Sequence, residues 1–146
     1  MKNILATFFC FFSLILYAQK YNTGNIELDT DLETINAEAN LNFGQFKTDL
    51  SIQYNIAKNK IEELKTKVGM TAGDIYIALE IAKITKKPID EISTIYRNNK
   101  EKGWGVIAKE AGIKPGSKAF HELKKSAKNK NSKGKDKKTK ENGKKK

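Results

Sequence analysis

The sequence has little of the chemistry from which most enzyme sites are built. It contains one cysteine, Cys10, and one histidine, His121. A lone cysteine excludes an intrachain disulfide, and a lone histidine excludes a histidine-rich metal site. The sequence also lacks a glycine-rich phosphate loop, an HExxH motif and a nucleophile elbow. We therefore predict neither an enzyme nor a bound cofactor or metal.

The N-terminal residues 1–18 have the three parts of a secretory signal. Lys2 provides the positive charge, residues 4–16 form an uncharged apolar run, and Ala18 is a small residue at the expected cleavage position. The apolar run is shorter than the roughly 20 residues that a membrane span requires. We predict cleavage after Ala18, removal of Cys10 with the signal, and export to the periplasm or the cell exterior. An uncleaved membrane anchor is the alternative.

Net charge is absent from most of the chain and concentrated at its C-terminal end. The formal net charge is +11, yet residues 19–123 are neutral, with 14 lysines and Arg97 against 15 acids. Residues 124–146 contain 12 lysines against Asp136 and Glu141. The basic character of this protein therefore belongs to its C-terminal segment, and a single domain of residues 19–123 is expected to precede it.

This C-terminal segment has no apolar residue after Ala127. Such a composition cannot bury enough surface to offset chain entropy, so we predict a disordered tail over residues 124–146. A flexible polycation suits anionic polymers or surfaces, with contacts that weaken as salt rises. The alternative is a solvated tail that only keeps a neutral domain in solution. The predicted contacts are Lys124, Lys125, Lys128, Lys130, Lys133, Lys135, Lys137, Lys138, Lys140, Lys144, Lys145 and Lys146.

Apolar and polar residues alternate in the first third of the domain, which is typical of half-buried strands. Gly44 and Gln45 separate two such runs, so we predict a long antiparallel β-hairpin. The first run contains Ile35, Ala37, Ala39, Leu41 and Phe43, and the second contains Phe46, Leu50, Ile52, Tyr54 and Ile56.

The remainder of the domain has helical spacing and helix boundary signals. Apolar residues at spacings of three and four predict a helix over residues 58–68 that ends at Gly69. Thr71 and Asp74 predict a capping box at the start of the next helix, and Pro88 suits the first turn of another. The expected fold class is therefore α+β, with the hairpin packed on four or five short helices.

Residues 103–123, GWGVIAKEAGIKPGSKAFHEL, contain half of a helix-turn-helix pattern. Ala108, Gly112 and Ile113 suit the first helix and the turn, but Lys118 stands where a recognition helix would have an apolar residue. A helical pair that serves only as core is the simpler interpretation. A DNA-binding protein with a degenerate helix-turn-helix at residues 103–123 is the alternative.

With this segment, the chain resembles a group of small exported bacterial proteins without assigned activity. The resemblance rests on DIYIAL at residues 74–79 and on the segment at residues 103–123. It implies an export signal and an α+β fold, and it implies no catalytic or binding residue. The lysine-rich segment lies outside the resemblance.

Trp104, between two glycines, is the one candidate for a specific binding site in the folded domain. It is either a core residue at the start of a helix or, with Tyr96, Phe120 and His121, part of an exposed aromatic surface for an unknown partner. A small hydrolase or lyase that uses His121 is a further alternative. We expect a monomer.

Overall fold

The computed structural model describes residues 21–142, and for residues 135–142 it describes the backbone alone. This part of the chain is helical and contains no strand. The helices are α1 (Ile26–Leu41), α2 (Phe43–Tyr54), α3 (Lys58–Thr66), α4 (Ala72–Thr85), α5 (Ile89–Asn99), α6 (Trp104–Ala111) and α7 (Lys118–Asn142), with a 3₁₀ turn at Lys100–Lys102. None of these helices is long and apolar enough to cross a membrane. The predicted signal at residues 1–18 lies outside the described residues.

The predicted β-hairpin is wrong, and with it the α+β fold class, because its two runs form α1 and α2. The buried apolar residues of α1 are Leu28, Leu32, Ile35 and Ala39, which repeat at intervals of four, three and four and form one helical stripe. Of the alternating positions that suggested a strand, Leu41 and Ile52 are each 77% exposed. The alternation was therefore a coincidence of composition within a helical repeat.

Three asparagines set the boundaries of these two helices. The Asn25 side chain accepts a hydrogen bond from the Leu28 backbone N–H at 3.0 Å and caps α1. Asn42 ends α1 and caps α2 by accepting from Gln45 N at 3.0 Å. Asn55 ends α2 in the left-handed conformation, with φ of 49°. The turn between the presumed strands is thus a junction between two helices.

The helices predicted further along the chain are confirmed. Helix α3 begins at Lys58, and α5 begins directly after Pro88. The Thr71 side chain accepts from Asp74 N while the Asp74 carboxylate accepts from Thr71 N, which forms the predicted capping box of α4.

Helix α4 is the centre of the molecule. Its residues from Ala72 to Ile81 are all buried, and α4 packs against each of the other six helices. A helix that is apolar around most of its circumference requires such enclosure. The remaining helices therefore form a shell around α4, and each needs only one apolar face.

Two charged residues of α4, Asp74 and Glu80, are buried within this shell. Glu80 is 1% exposed, and its carboxylate accepts a hydrogen bond from the Tyr54 hydroxyl of α2. The Lys83 ammonium lies 2.8 Å from the other carboxylate oxygen and reaches solvent at the edge of the domain. The ion pair and the hydroxyl together offset the desolvation of Glu80.

The predicted boundary between a domain ending at Leu123 and a disordered tail is also wrong. Helix α7 runs through this position without interruption and packs on α1 and α4. Ala127 is fully buried and Asn131 is 7% exposed, so residues beyond Leu123 belong to the folded body. Composition failed here because a helix can be held by a few small buried residues and by polar contacts.

Burial raises the pKa of each of the four tyrosines in the described residues, and it raises that of Tyr21 to about 12. The unfolded chain then releases these protons first, near pH 10, while the folded protein retains them. Stability is therefore complete below pH 10 and falls as the pH rises above it, by up to about 1.4 kcal/mol per pH unit for each tyrosine.

We expect urea unfolding, followed by circular dichroism, to show a midpoint that falls steeply above pH 10. Between pH 10 and 12 the free energy of unfolding of Tyr21→Phe should fall less steeply than that of the unchanged protein, by the slope of about one proton, or about 1.4 kcal/mol per pH unit. The comparison cancels the contribution of lysine deprotonation, which both proteins share. Equal slopes would show that the Tyr21 hydroxyl titrates as it does in the unfolded chain.

Candidate functional site

Trp104 is a core residue and not part of an exposed surface. Its side chain is 2% exposed, and its indole Nε1 donates a hydrogen bond to Asp74 Oδ1 at 2.7 Å. The ring lies 5.4 Å from the Tyr96 ring, centroid to centroid. The alternative of an aromatic platform is therefore wrong, and the indole links α6 to the first turn of α4.

The Asp74 carboxylate is the acceptor for a small buried network. It accepts hydrogen bonds from Thr71 N at 2.9 Å, from Thr71 Oγ1 at 2.8 Å and, more weakly, from the Tyr96 hydroxyl at 3.4 Å. The Tyr21 hydroxyl lies 3.2 Å from Thr71 Oγ1. Each oxygen of this buried carboxylate is thus satisfied, which is the requirement for a structural carboxylate.

The two glycines beside Trp104 leave space for residues 21–23 of the same chain. Trp104 N donates to Tyr21 O at 2.8 Å and Gly105 N donates to Asn22 O at 2.9 Å, so this segment caps the first turn of α6. A Cβ at Gly103 would lie 2.6 Å from Asn22 Cβ, and a Cβ at Gly105 would lie 3.1 Å from Thr23 O. The space beside these glycines is therefore filled by the chain itself.

The other candidate residues do not come together into one site. Tyr96 is buried beside Trp104, Phe120 is partly buried against the core, and His121 is exposed on α7. A cavity of about 10 Å³, the space of about one water molecule, lies between Trp104, Ile113 and Phe120. This region packs the helices together and offers no room for a substrate.

The exposed face of α7 presents a row of lysines instead. Lys118, Lys125, Lys128 and Lys133 are exposed. The helical repeat places Lys118 and Lys125 opposite the buried Leu123 and Ala127, with Lys128 and Lys133 to either side of them. We call these four residues the outer lysines. At 1.5 Å per residue they extend over about 22 Å. Glu122 is the acid exposed among them.

The opposite side of α7 contacts a helix of opposite charge. Helix α1 contains five acids and no basic residue. Lys124 Nζ lies 3.0 Å from the carboxylate of Glu27, and its hydrogen bond lowers the pKa of Glu27. Asn131 Nδ2 donates to Asp31 Oδ1 at 2.7 Å. Among the residues of α7 whose side chains the structure describes, Lys124 is thus paired with α1, while the outer lysines are exposed to solvent.

Sequence reasoning missed two parts of this arrangement. Lys118 belongs to the outer lysines although it precedes the predicted tail, and Glu27 and Asp31 of α1 were not recognised as partners of that tail. The signal was present in the one-sided charge of residues 26–41. An acidic helix and a lysine-rich segment in one chain are candidates for pairing.

Removing the Asp74 carboxylate should leave several buried donors without an acceptor. We expect Asp74→Ala to lower the free energy of unfolding by about 2 to 4 kcal/mol, because the Trp104 indole and the Thr71 hydroxyl would remain buried and unpaired. Urea unfolding followed by Trp104 fluorescence measures this, with the exposed Glu122→Ala as the control of equal charge. A loss no larger than that of the control would contradict a structural role for Asp74.

In comparisons with protein-family models, curated proteins and solved structures, nothing matches this chain.

Proposed function

We propose that this protein is an exported, non-enzymatic binding protein whose helix α7 binds anionic polymers or anionic surfaces through the outer lysines. The observation that carries the proposal is the exposure of Lys118, Lys125, Lys128 and Lys133 along one face of a helix that is anchored in the folded body. The apolar run at residues 4–16, with Lys2 before it and Ala18 after it, supports export.

The chemistry of this face favours recognition of charge without recognition of sequence. The charged groups are lysine ammonium ions, which act as point charges, and helix α7 contains no arginine, tyrosine or tryptophan. Bidentate hydrogen bonding to phosphates or bases therefore has no arginine to carry it, and the aromatic ring exposed among the outer lysines is that of His121. Lipid phosphates, acidic glycans and nucleic-acid phosphates share the chemistry that the outer lysines would bind.

A binding role is favoured over a hydrolase or lyase built on His121. His121 is exposed between outer lysines, while the buried carboxylates of Asp74 and Glu80 lie in the interior and are used by hydrogen bonds and an ion pair there. A general base must lie within hydrogen-bond reach of the proton that it removes and of a bound substrate. The geometry around His121 provides no enclosed position for such a substrate.

The salt dependence of binding tests this proposal. Duplex DNA, anionic lipid vesicles and an acidic glycan are titrated against the mature chain, residues 19–146, at several salt concentrations. For DNA, each neutralised phosphate contributes about −0.9 to the slope of log affinity against log salt. Replacing all four outer lysines by glutamine should make that slope less negative by about 3 to 4.

The matched control removes four exposed lysines from other parts of the surface, Lys58, Lys67, Lys86 and Lys100, and has the same net charge. We expect its slope to stay near that of the unchanged protein. Equal losses in both variants would mean that net charge and not the face of α7 determines binding. A chain that binds no member of the panel at low salt would contradict the proposal.

A further inference from the structure

Helix α7 consists of two stretches that are held to the body by different forces. Residues 118–127, the anchored stretch, bury Leu123 and Ala127 and pack Phe120 partly against the core. Residues 128–134, the latched stretch, have no apolar side chain. Because apolar burial is the main source of local stability, the latched stretch depends on its polar contacts with neighbouring helices.

Those contacts are made mainly by the acidic helix α1. The Asp31 carboxylate accepts from Asn131 Nδ2 at 2.7 Å. Gly134 lies so close to α1 that a Cβ there would be 2.3 Å from a carboxylate oxygen of Glu38. The Lys130 ammonium lies 5.6 Å from the centroid of the Phe46 ring of α2. The latched stretch therefore rests on carboxylates and on one aromatic ring.

This interface is imperfectly satisfied. Asn131 is buried, and in the part of the chain that the structure describes its Oδ1 has no hydrogen-bond partner. A buried acceptor without a donor destabilises the docked state, because the same atom would be hydrated once the helix is released. The docked state is therefore stabilised by the contacts to α1 and destabilised by the unpaired Asn131 Oδ1.

We propose that Asp31 and Glu38 act as an internal anion that holds the latched stretch against α1, and that a bound polyanion replaces them and releases it. The inference rests on the proposed function and adds a way in which binding at the same site is regulated. A ligand shifts such an equilibrium only if it prefers one state. We expect the polyanion to bind the released state more tightly for two reasons. Lys130 then contacts the polyanion together with Lys128 and Lys133, and the polyanion lies farther from the acids of α1.

The outer lysines then act first and the latch second. Lys118 and Lys125 belong to the anchored stretch and are exposed while α7 is docked, so they bind a polyanion without any rearrangement. The bound polyanion lies beside the latched stretch and competes there with the carboxylates of α1.

The test measures binding and release separately. Nitroxide labels are placed on cysteines introduced at the exposed positions Asn40 of α1 and Ser132 of α7, since the mature chain has no other cysteine. Double electron–electron resonance gives the distance between the labels with and without a 20-base-pair DNA duplex, and fluorescence anisotropy of the labelled duplex gives its affinity. We expect the distance distribution to lengthen and broaden when the duplex binds.

A matched pair of variants identifies the internal anion. Asp31→Ala removes the acceptor of Asn131, whereas Glu33→Ala removes the same charge from an exposed position two residues along α1, which projects from a different side of the helix. We expect Asp31→Ala to lengthen the label distance before any duplex is added and to raise duplex affinity by about fivefold or more. Glu33→Ala should leave the distance unchanged and alter affinity by less than about twofold.

The outcomes separate the latch from the proposed function. A duplex that binds while the label distance stays constant would overturn the latch and leave the proposed function standing. Equal gains in affinity for the two variants would also overturn it, because the effect would then be general charge repulsion. If the duplex fails to bind at low salt, the proposed function fails and the latch fails with it. Circular dichroism of both variants establishes that the anchored stretch keeps the fold.

Discussion

The buried carboxylate of Asp74 is the constraint on which the arrangement of the helices depends. A carboxylate in the interior destabilises a fold unless donors surround it, and here they come from distant parts of the chain. Thr71 supplies two of them at the start of α4, and the Trp104 indole supplies another at the start of α6. This requirement positions α6 on α4. The glycines beside Trp104 then leave space for the N-terminal segment, which completes the first turn of α6 with its own carbonyl groups.

The enclosure of α4 explains why the remaining helices can be short and variable in composition. Since α4 is buried on all sides, it provides apolar contacts to every other helix. A helix such as α7 is then attached by the apolar contacts of Leu123, Ala127, Ala119 and Phe120 together with its polar contacts to α1. Its other positions are free to be lysine. The exposed lysines of α7 therefore lie at the periphery, whereas the packing of the centre depends on the buried carboxylates of Asp74 and Glu80.

The sequence predicted the helices that begin at Lys58, Ala72 and Ile89 correctly, and it predicted strands where α1 and α2 lie. The difference has an identifiable physical reason. Boundaries that depend on local chemistry, such as the capping box at Thr71 and Asp74 or the helix after Pro88, can be read from neighbouring residues. The residues of α1 satisfy period two and period 3.6 at once, and the choice between them depends on what covers Leu28 and Leu32. That information lies in α4 and α7, far away in the chain.

The same limitation applies to the candidate site. Burial of Trp104 was one of two readings from the sequence, but its partner Asp74 could not be named, because nothing local connects residues 30 apart. For α7, the composition after Ala127 predicted disorder, since lysine, serine and asparagine bury little apolar surface. What composition omits is a neighbour of opposite charge. Helix α1 offers Asp31 to Asn131 across 100 residues of sequence, and no window along the chain contains both.

A docked lysine helix differs from a disordered lysine tail in the entropy of binding. Ordering a flexible polycation on a ligand costs conformational freedom for each residue that is immobilised. The outer lysines are attached to a backbone that is already helical, so most of that cost falls on their side chains. Their spacing along about 22 Å is also set in advance, which suits an extended anionic polymer or a flat anionic surface more than a compact anion. In the proposed mode of binding, the packing of α7 on the body would fix Lys118 and Lys125 before a ligand arrives, and the carboxylates of α1 would compete with that ligand for the latched stretch.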